Sequence, residues 1–145
     1  MQIPRPKPIG DAAVARQLRS VLFSETLVAA ALVRPKGYAR VVLSHLLGWA
    51  GPIIARRATE PLPPTILYLA VTTVDIRLFS KPLFGGPFEV GRWKKSVYRA
   101  SLRESGLWLK LDLDVERLGR VTVTSSRAAR PVLDLVVQGA SGPAL

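Results

Sequence analysis

The carboxylates that lie closest together in the chain are Asp112, Asp114 and Glu116. They alternate along a strand pattern, which places them on one face at intervals of roughly 7 Å. That spacing would suit a Ca²⁺ site or an acid–base pair. It suits equally a solvent-exposed strand face whose charges are balanced across the sheet by Arg120 or Lys110. We expect the second arrangement, and the sequence therefore predicts no metal site here.

The single histidine, His45, follows Ser44 in an apolar run, and no carboxylate is close in sequence. Adjacent residues of a helix point in different directions, so a serine nucleophile activated by this histidine is not supported. The lack of Cys excludes disulfides and thiol chemistry, and one histidine provides no His pair for a metal. Gly85-Gly86 is followed by Pro87 and lacks the lysine of a phosphate loop. The sequence therefore predicts a protein that is not an enzyme and uses no cofactor.

The charge balance is the strongest signal in the composition. Lys and Arg number 21 against 10 Asp and Glu, which gives a net charge of +11 at pH 7. Such a balance favours anionic partners, namely nucleic acid, an acidic lipid surface or an acidic protein, although it also suits a chain that is merely kept soluble. Single-stranded nucleic acid could bind a cluster in which aromatic rings stack on bases and basic side chains contact phosphates. The residues are Trp93, Lys94, Lys95, Tyr98 and Arg99. Aromatic residues in strands more commonly belong to the core.

The elements that must position these residues follow from the hydrophobic periodicity. A helix over residues 11–24, capped by Asp11, precedes a buried strand over residues 25–33. After an apolar insert, antiparallel strands are predicted over residues 65–72, 76–81, 88–93, 96–102, 106–116 and 120–126. In the strand over residues 106–116, Leu107, Leu109, Leu111, Leu113 and Val115 share the core face. A helix from Ser126 to Gly139, with Pro131 in its first turns, closes the fold.

The chain length of 145 residues fits one domain. Residues 1–10 carry three alternating prolines and predict an extended, flexible arm. Residues 11–139 form the domain, with the apolar insert at 36–60. Residues 140–145 are small and predict a flexible tail.

Four segments carry a pattern of strand and helix signals: YLAVTTVDIRLF (68–79), VGRWKKSV (90–97), GLWLKLDL (106–113) and ARPVLDLV (129–136). Together they resemble the pleckstrin-homology (PH) superfold, and in particular the small PH-like or GRAM-like proteins of actinobacteria. The resemblance implies an α+β fold: a curved antiparallel sheet or partly open barrel of about seven strands, with a C-terminal capping helix and a short N-terminal helix. It implies no particular function, because one fold serves many functions.

The insert contains fifteen uncharged residues, VVLSHLLGWAGPIIA (41–55). This run is shorter than the roughly 20 apolar residues of a membrane-spanning helix, and glycine and proline interrupt it. Basic residues flank it on both sides, and it contains one tryptophan: Arg34, Lys36, Arg40, Arg56, Arg57 and Trp49. That pattern suits a membrane surface, with Trp49 at headgroup depth. The alternative is a segment packed on its own sheet or between subunits.

In the PH family the connection after the first strand holds basic residues that bind anions, and the resemblance implies such a role for Arg34, Lys36 and Arg40. The order Arg34-Pro35-Lys36-Gly37 departs from the family's phosphoinositide signature, so specific phosphoinositide binding is not expected. The sequence predicts a non-catalytic cytoplasmic protein whose basic surface makes peripheral contact with the inner membrane face. The alternatives are a homo-oligomeric or protein-binding module and, with less support, a nucleic-acid-binding protein.

Overall fold

The computed structural model describes residues 7–22, 26–38, 62–63 and 65–144. Within these residues lie eight strands, two α-helices and one turn of 3-10 helix. In chain order the elements are β1 (Ile9–Gly10), α1 (Ala12–Arg19), β2 (Leu27–Pro35), β3 (Ile66–Thr72), β4 (Asp75–Lys81), β5 (Phe88–Lys94), β6 (Arg99–Ser105), β7 (Trp108–Val115), β8 (Gly119–Ser126), the 3-10 turn (Arg127–Ala129) and α2 (Arg130–Gln138).

The strands form one curved, open sheet in the order β5-β4-β3-β2-β8-β7-β6. Neighbouring strands in this order are antiparallel, and β1 pairs parallel to β2. Strand β2 pairs with β3 along most of its length, but it pairs with β8 only at Arg34 and Pro35. This short junction joins the β2–β5 half of the sheet to the β6–β8 half. The predicted α+β class, with a curved antiparallel sheet and a C-terminal helix, is confirmed.

Two hydrophobic clusters explain why β2 and β3 are apolar without alternation. On the inner face, alternate residues of both strands join the main core, in which α2 packs through Val132, Leu133 and Val136. On the outer face, α1 covers the intervening residues with Val14 and Leu18. A strand that is buried on both faces has no solvent-facing positions. The continuous apolar run therefore encodes a central strand.

Helix α1 begins as the sequence predicts, because Asp11 Oδ1 accepts hydrogen bonds from the backbone N–H groups of Ala13 and Val14 at 2.9 and 3.2 Å. It is shorter than predicted and ends at Arg19 rather than at residue 24. Helix α2 begins at Arg130, after the 3-10 turn, and the Ser126 side chain makes no capping bond. The predicted cap at Ser126 is therefore wrong.

The strand predicted over residues 96–102 begins at Arg99, because the chain turns at Ser96 with a φ of 67°. Four of the five residues predicted to share the core face of the next strand are buried, namely Leu109, Leu111, Leu113 and Val115. The fifth, Leu107, precedes β7 and is exposed.

Described residues near both ends of the chain, 9–11 and 141–144, form hydrogen bonds with the sheet. Ile9 and Gly10 pair with Ala29 and Ala30, and Asp11 N–H donates to the Ala30 carbonyl at 2.9 Å. Gly10 permits this approach: its φ is 102°, and a Cβ there would lie 2.2 Å from the Ala30 oxygen.

The tail lies along β6. Ser141 N–H donates to the Tyr98 carbonyl at 2.9 Å, and Ala100 N–H donates to the Gly142 carbonyl at 3.1 Å. Ala144 N–H donates to the Ser101 hydroxyl at 2.9 Å. Small residues allow the tail to approach the strand, so these hydrogen bonds cover part of an otherwise open sheet edge.

Candidate functional site

The structure describes two of the six residues that the sequence nominates for anion contact and interfacial anchoring. Arg34 lies near the end of β2 and Lys36 follows that strand, and both are exposed. Lys36 N–H donates to the Thr122 carbonyl at 3.0 Å, which holds this part of the chain beside β8. The other four residues, Arg40, Trp49, Arg56 and Arg57, lie outside the described residues, as do His45 and the run 41–55.

The guanidinium of Arg34 lies over two aromatic rings that the sequence pattern does not connect with it. Its guanidinium carbon is 5.7 Å from the centre of the Tyr38 ring and 5.8 Å from that of Trp108. Both distances fall within cation–π range. Trp108 comes close because β8 lies between β2 and β7. On β8, Thr124 pairs with Arg34 of β2, and Ser126 pairs with Trp108 of β7. Strand alternation assigns Trp108 to the solvent side, but only the pairing of β2 with β8 makes it a neighbour of Arg34.

The connection between β4 and β5 exposes large apolar side chains. Leu83 is 87% exposed, Phe84 86% and Phe88 54%. We call these three residues the apolar tip. Lys81 Nζ donates to the Gly85 carbonyl at 2.6 Å and to the Pro82 carbonyl at 3.3 Å, so the loop is held across its base.

The sequence predicts no role for this connection and only excludes a phosphate loop at Gly85-Gly86. The sequence nevertheless contains a signal for an exposed apolar surface here, since turn residues bounded by proline and glycine are ordinarily polar. Two bulky apolar residues at such a position are therefore an unusual feature of this surface.

The apolar tip and the basic residues Arg34 and Lys36 lie at the same end of the sheet. Val33 pairs with Leu67, Leu67 with Ser80, and Ser80 with Phe88, so these residues form one row across four strands. Beyond that row β2 continues into Arg34 and Lys36, and β4 continues into the tip. The chain also leaves β2 and enters β3 at this end, so the apolar insert that the sequence places at 36–60 connects here.

The opposite end of the sheet also exposes two apolar residues. Val74, in the β3–β4 turn, is 57% exposed, and Val97, in the β5–β6 turn, is 55% exposed. Lys95 N–H donates to the Val74 carbonyl at 3.2 Å, which places the two turns side by side. These smaller side chains provide an internal comparison for the apolar tip.

A cleft of about 490 Å³ opens where β8 diverges from β2. We call it the β2–β8 cleft. Its lining consists of small, hydroxylated and apolar residues with two charged ones: Gly10, Asp11, Ala31, Leu32, Arg34, Trp108, Thr124, Ser125, Ser126, Ala128 and Ala129. The Ser125 hydroxyl donates to the Leu32 carbonyl at 2.7 Å and so joins the two walls.

Of the three carboxylates that the sequence assigns to a solvated strand face, Glu116 is exposed and Asp114 is half-buried, but Asp112 is buried. Asp112 is only 4% exposed, and it accepts hydrogen bonds from Arg103 at 2.6 and 3.1 Å and from Thr122 at 2.6 Å. Burial by itself would raise the pKa of Asp112, but the hydrogen bonds from Arg103 and Thr122 outweigh it and lower that pKa. The main partner is Arg103 rather than Arg120 or Lys110, because Asp112 stands between β6 and β8. In the part of the chain that the structure describes, no group of three or more His, Cys, Asp or Glu could hold a metal ion.

The aromatic residues of the candidate nucleic-acid cluster belong to the core. Trp93 and Tyr98 are buried; the Trp93 indole N–H donates to the Glu116 carbonyl at 3.1 Å, and the Tyr98 hydroxyl donates to the Val136 carbonyl at 2.6 Å. Burial raises the pKa of Tyr98 to about 12. Rings held in this way are not available to stack on bases.

No helix among the described residues is long and apolar enough to cross a membrane. Comparisons of the chain with protein-family models, with curated proteins and with solved structures find no match.

Proposed function

We propose that the chain is a non-catalytic, PH-like binding protein that attaches peripherally to an anionic membrane surface, such as the inner leaflet. The end of the sheet that carries Arg34, Lys36 and the apolar tip makes the contact. The observation that carries the proposal is the apolar tip itself: Leu83 is 87% and Phe84 86% exposed, at the same end of the sheet as Arg34 and Lys36. The PH-like assignment is supported by the curved antiparallel sheet and the closing helix α2.

The chemistry of a membrane interface accounts for this combination of residues. Apolar side chains on a protruding loop gain free energy when they enter the headgroup region, and nearby Lys and Arg are attracted to anionic lipids. The charge of the whole chain, +11, adds long-range attraction to the same surface. An acidic protein would also attract the cations, but it would not by itself require two bulky apolar residues at a narrow loop end.

Vesicle flotation tests the proposal. We expect the protein to float with vesicles of phosphatidylcholine and phosphatidylglycerol, and to float less with phosphatidylcholine alone. Each Lys or Arg near an anionic surface contributes about 1 kcal/mol, so R34A/K36A should weaken partitioning to anionic vesicles by roughly tenfold to thirtyfold at low salt.

The matched control is R16A/R19A, which also removes two positive charges. Arg16 and Arg19 are exposed on α1, which leads toward the start of β2 at the other end of the sheet. We expect this control to weaken binding less than R34A/K36A. Equal flotation with neutral and anionic vesicles, or none with either, would refute the proposal.

Light scattering provides the second measurement. The protein could instead form a stable dimer that does not bind vesicles and that dissociates when the apolar tip is made polar. That result would show that this surface binds a second copy of the chain and not a membrane. A monomer that floats with anionic vesicles supports the proposal.

A further inference from the structure

The β2–β8 cleft is a separate feature from the apolar tip and results from the sheet topology. Strand β2 pairs with β8 at Arg34 and Pro35 and with β1 at Ala29 and Ala30, so the chain between these pairs borders an opening. The opening measures about 490 Å³, within the range of roughly 300–1,000 Å³ that is usual for small-molecule sites. The Ser125 hydroxyl donates to the Leu32 carbonyl across the cleft and so links its two walls.

Arg34 provides the charge at one end of this cleft. Among the described residues it makes no ion pair, and its guanidinium lies over the rings of Tyr38 and Trp108. A guanidinium that packs on ring faces can still donate hydrogen bonds from its edge, and its planar pair of N–H groups matches the two oxygens of a carboxylate. The hydroxyl of Ser126, which makes no hydrogen bond within the described part of the chain, lines the same cleft.

The walls of the cleft favour a flat ligand. Ala31, Ala128 and Ala129 present methyl groups, and Gly10 presents no side chain. Trp108, which is 48% exposed, adds an aromatic face beside Arg34. A planar aromatic ring can lie against small residues and stack on an indole at the same time.

The charges of the cleft orient such a ligand. Asp11, the other charged residue in the lining, is held near Ala30 by its backbone N–H, and Arg34 is four residues farther along β2. At roughly 3.3 Å per residue the two positions are about 13 Å apart along the strand. An anionic group therefore favours the Arg34 end, with the ring extending toward the Asp11 end.

From these observations we propose that the β2–β8 cleft binds a small aromatic carboxylate. The carboxylate accepts hydrogen bonds from Arg34, and the ring lies between Trp108 and the wall of small residues. This proposal shares Arg34 with the proposed membrane-binding surface, but it does not depend on membrane binding, because the apolar tip takes no part in the cleft.

Isothermal titration calorimetry with 2-naphthoate and its neutral counterpart 2-naphthamide tests this site in the full chain. We expect naphthoate to bind and naphthamide to bind more weakly. R34A should weaken naphthoate binding by at least about tenfold, since it removes charge-assisted hydrogen bonds, and should change naphthamide binding much less. Lys36 does not line the cleft, so K36A is the matched control and should change naphthoate binding less than about twofold.

D11N is a second control, because asparagine also caps helices well and the substitution removes only the negative charge. It should leave naphthoate binding unchanged or strengthen it. Thermal unfolding of R34A that matches the unsubstituted protein establishes that the cleft is intact in that variant. The proposal is overturned if naphthoate does not bind at millimolar concentration, if naphthamide binds equally well, or if K36A weakens binding as much as R34A.

The two proposals can fail separately. A variant with a polar tip, L83S/F84S, should lose vesicle binding and still bind naphthoate with unchanged affinity. If it lost both, the cleft would not be independent of the membrane-binding surface and the present inference would be wrong.

Discussion

Replacing the two most exposed residues of the apolar tip, in the variant L83S/F84S, should abolish most membrane binding without destabilising the fold. Both side chains extend from the β4–β5 connection and are almost fully exposed. Exposed surface substitutions of this kind change stability by about 0.5 kcal/mol or less. A loss of vesicle binding in a variant that unfolds at the same urea concentration can therefore be assigned to the lost membrane contact.

The magnitude follows from the exposure of the two residues. Moving a whole Leu or Phe side chain out of water is worth about 1.5–3 kcal/mol. Leu83 and Phe84 are 87% and 86% exposed, so almost all of that surface is available for transfer. Burial to headgroup depth recovers about half of it, because an interfacial element sinks only roughly 5–10 Å. The pair then contributes about 1.5–3 kcal/mol, which corresponds to a loss of roughly tenfold to a hundredfold in the partition coefficient.

The assay is a titration of the protein with anionic vesicles, followed by sedimentation or flotation, at low salt and at 0.15 M salt. The polar-tip variant should lose affinity by a similar factor at both salt concentrations, because the lost contribution is apolar. The charge variant R34A/K36A should differ from the unsubstituted protein mainly at low salt, since the Debye length shortens to about 8 Å at 0.15 M. This contrast separates the two kinds of contact.

The control is V74S/V97S, which removes two exposed apolar residues at the other end of the sheet. It should retain the vesicle affinity of the unsubstituted protein. If V74S/V97S and L83S/F84S weakened binding equally, the exposed residues would be acting without regard to position, and the assignment of one end of the sheet to the membrane would be refuted. The same conclusion would follow if L83S/F84S changed the partition coefficient by less than about twofold.

Three further predictions concern the fold. Gly10→Ala should destabilise the protein more than Gly85→Ala. Both glycines have a φ near 100°, but only at Gly10 would a new Cβ collide with a backbone oxygen. Urea unfolding of the two variants measures the cost of that collision, and an equal loss of unfolding free energy in both would contradict the prediction. Tyr98→Phe should cost about 1–2 kcal/mol at pH 7 through the lost hydrogen bond to Val136. Burial raises the pKa of Tyr98 to about 12, so the unsubstituted protein loses stability as the pH rises from 10 toward 12. The difference in unfolding free energy between it and Tyr98→Phe should therefore narrow over that range. A difference that stays constant would contradict the prediction. Asp112→Asn should lower the urea midpoint at pH 7, because the lowered pKa of Asp112 marks a carboxylate that stabilises the fold when ionised. That difference should shrink below about pH 4, as the pH falls through the lowered pKa, and a difference that persisted at pH 2 would show that charge is not its cause.

Local patterns predict much of the fold correctly, for reasons that the structure makes clear. The alternation of Leu109, Leu111 and Leu113 requires one buried face, and those residues are buried. Asp11 caps α1 because the capping bonds involve only residues two and three positions away. Predictions that rest on such short-range interactions require no knowledge of the remaining chain.

Predictions fail where a residue far along the chain supplies the missing partner. Asp112 is assigned to solvent by alternation, but β6 and β8 bring Arg103 and Thr122 to it. The hydrogen bonds between the tail and β6 are likewise not predicted, because the small residues of the tail carry no local signal for them. No local pattern distinguishes a small residue at a free end from one that permits close packing.

The candidate sites divide in the same way. Composition and sequence position alone identify a cationic chain and nominate Arg34 and Lys36, because net charge and the order of residues do not depend on the fold. Strand pairing decides that Arg34 meets Trp108, that a cleft opens beside them, and that Leu83 and Phe84 lie at the same end of the sheet as the cations. These are relations between residues separated by dozens of positions, and only the register of the strands, set by the packing of both sheet faces, brings them together.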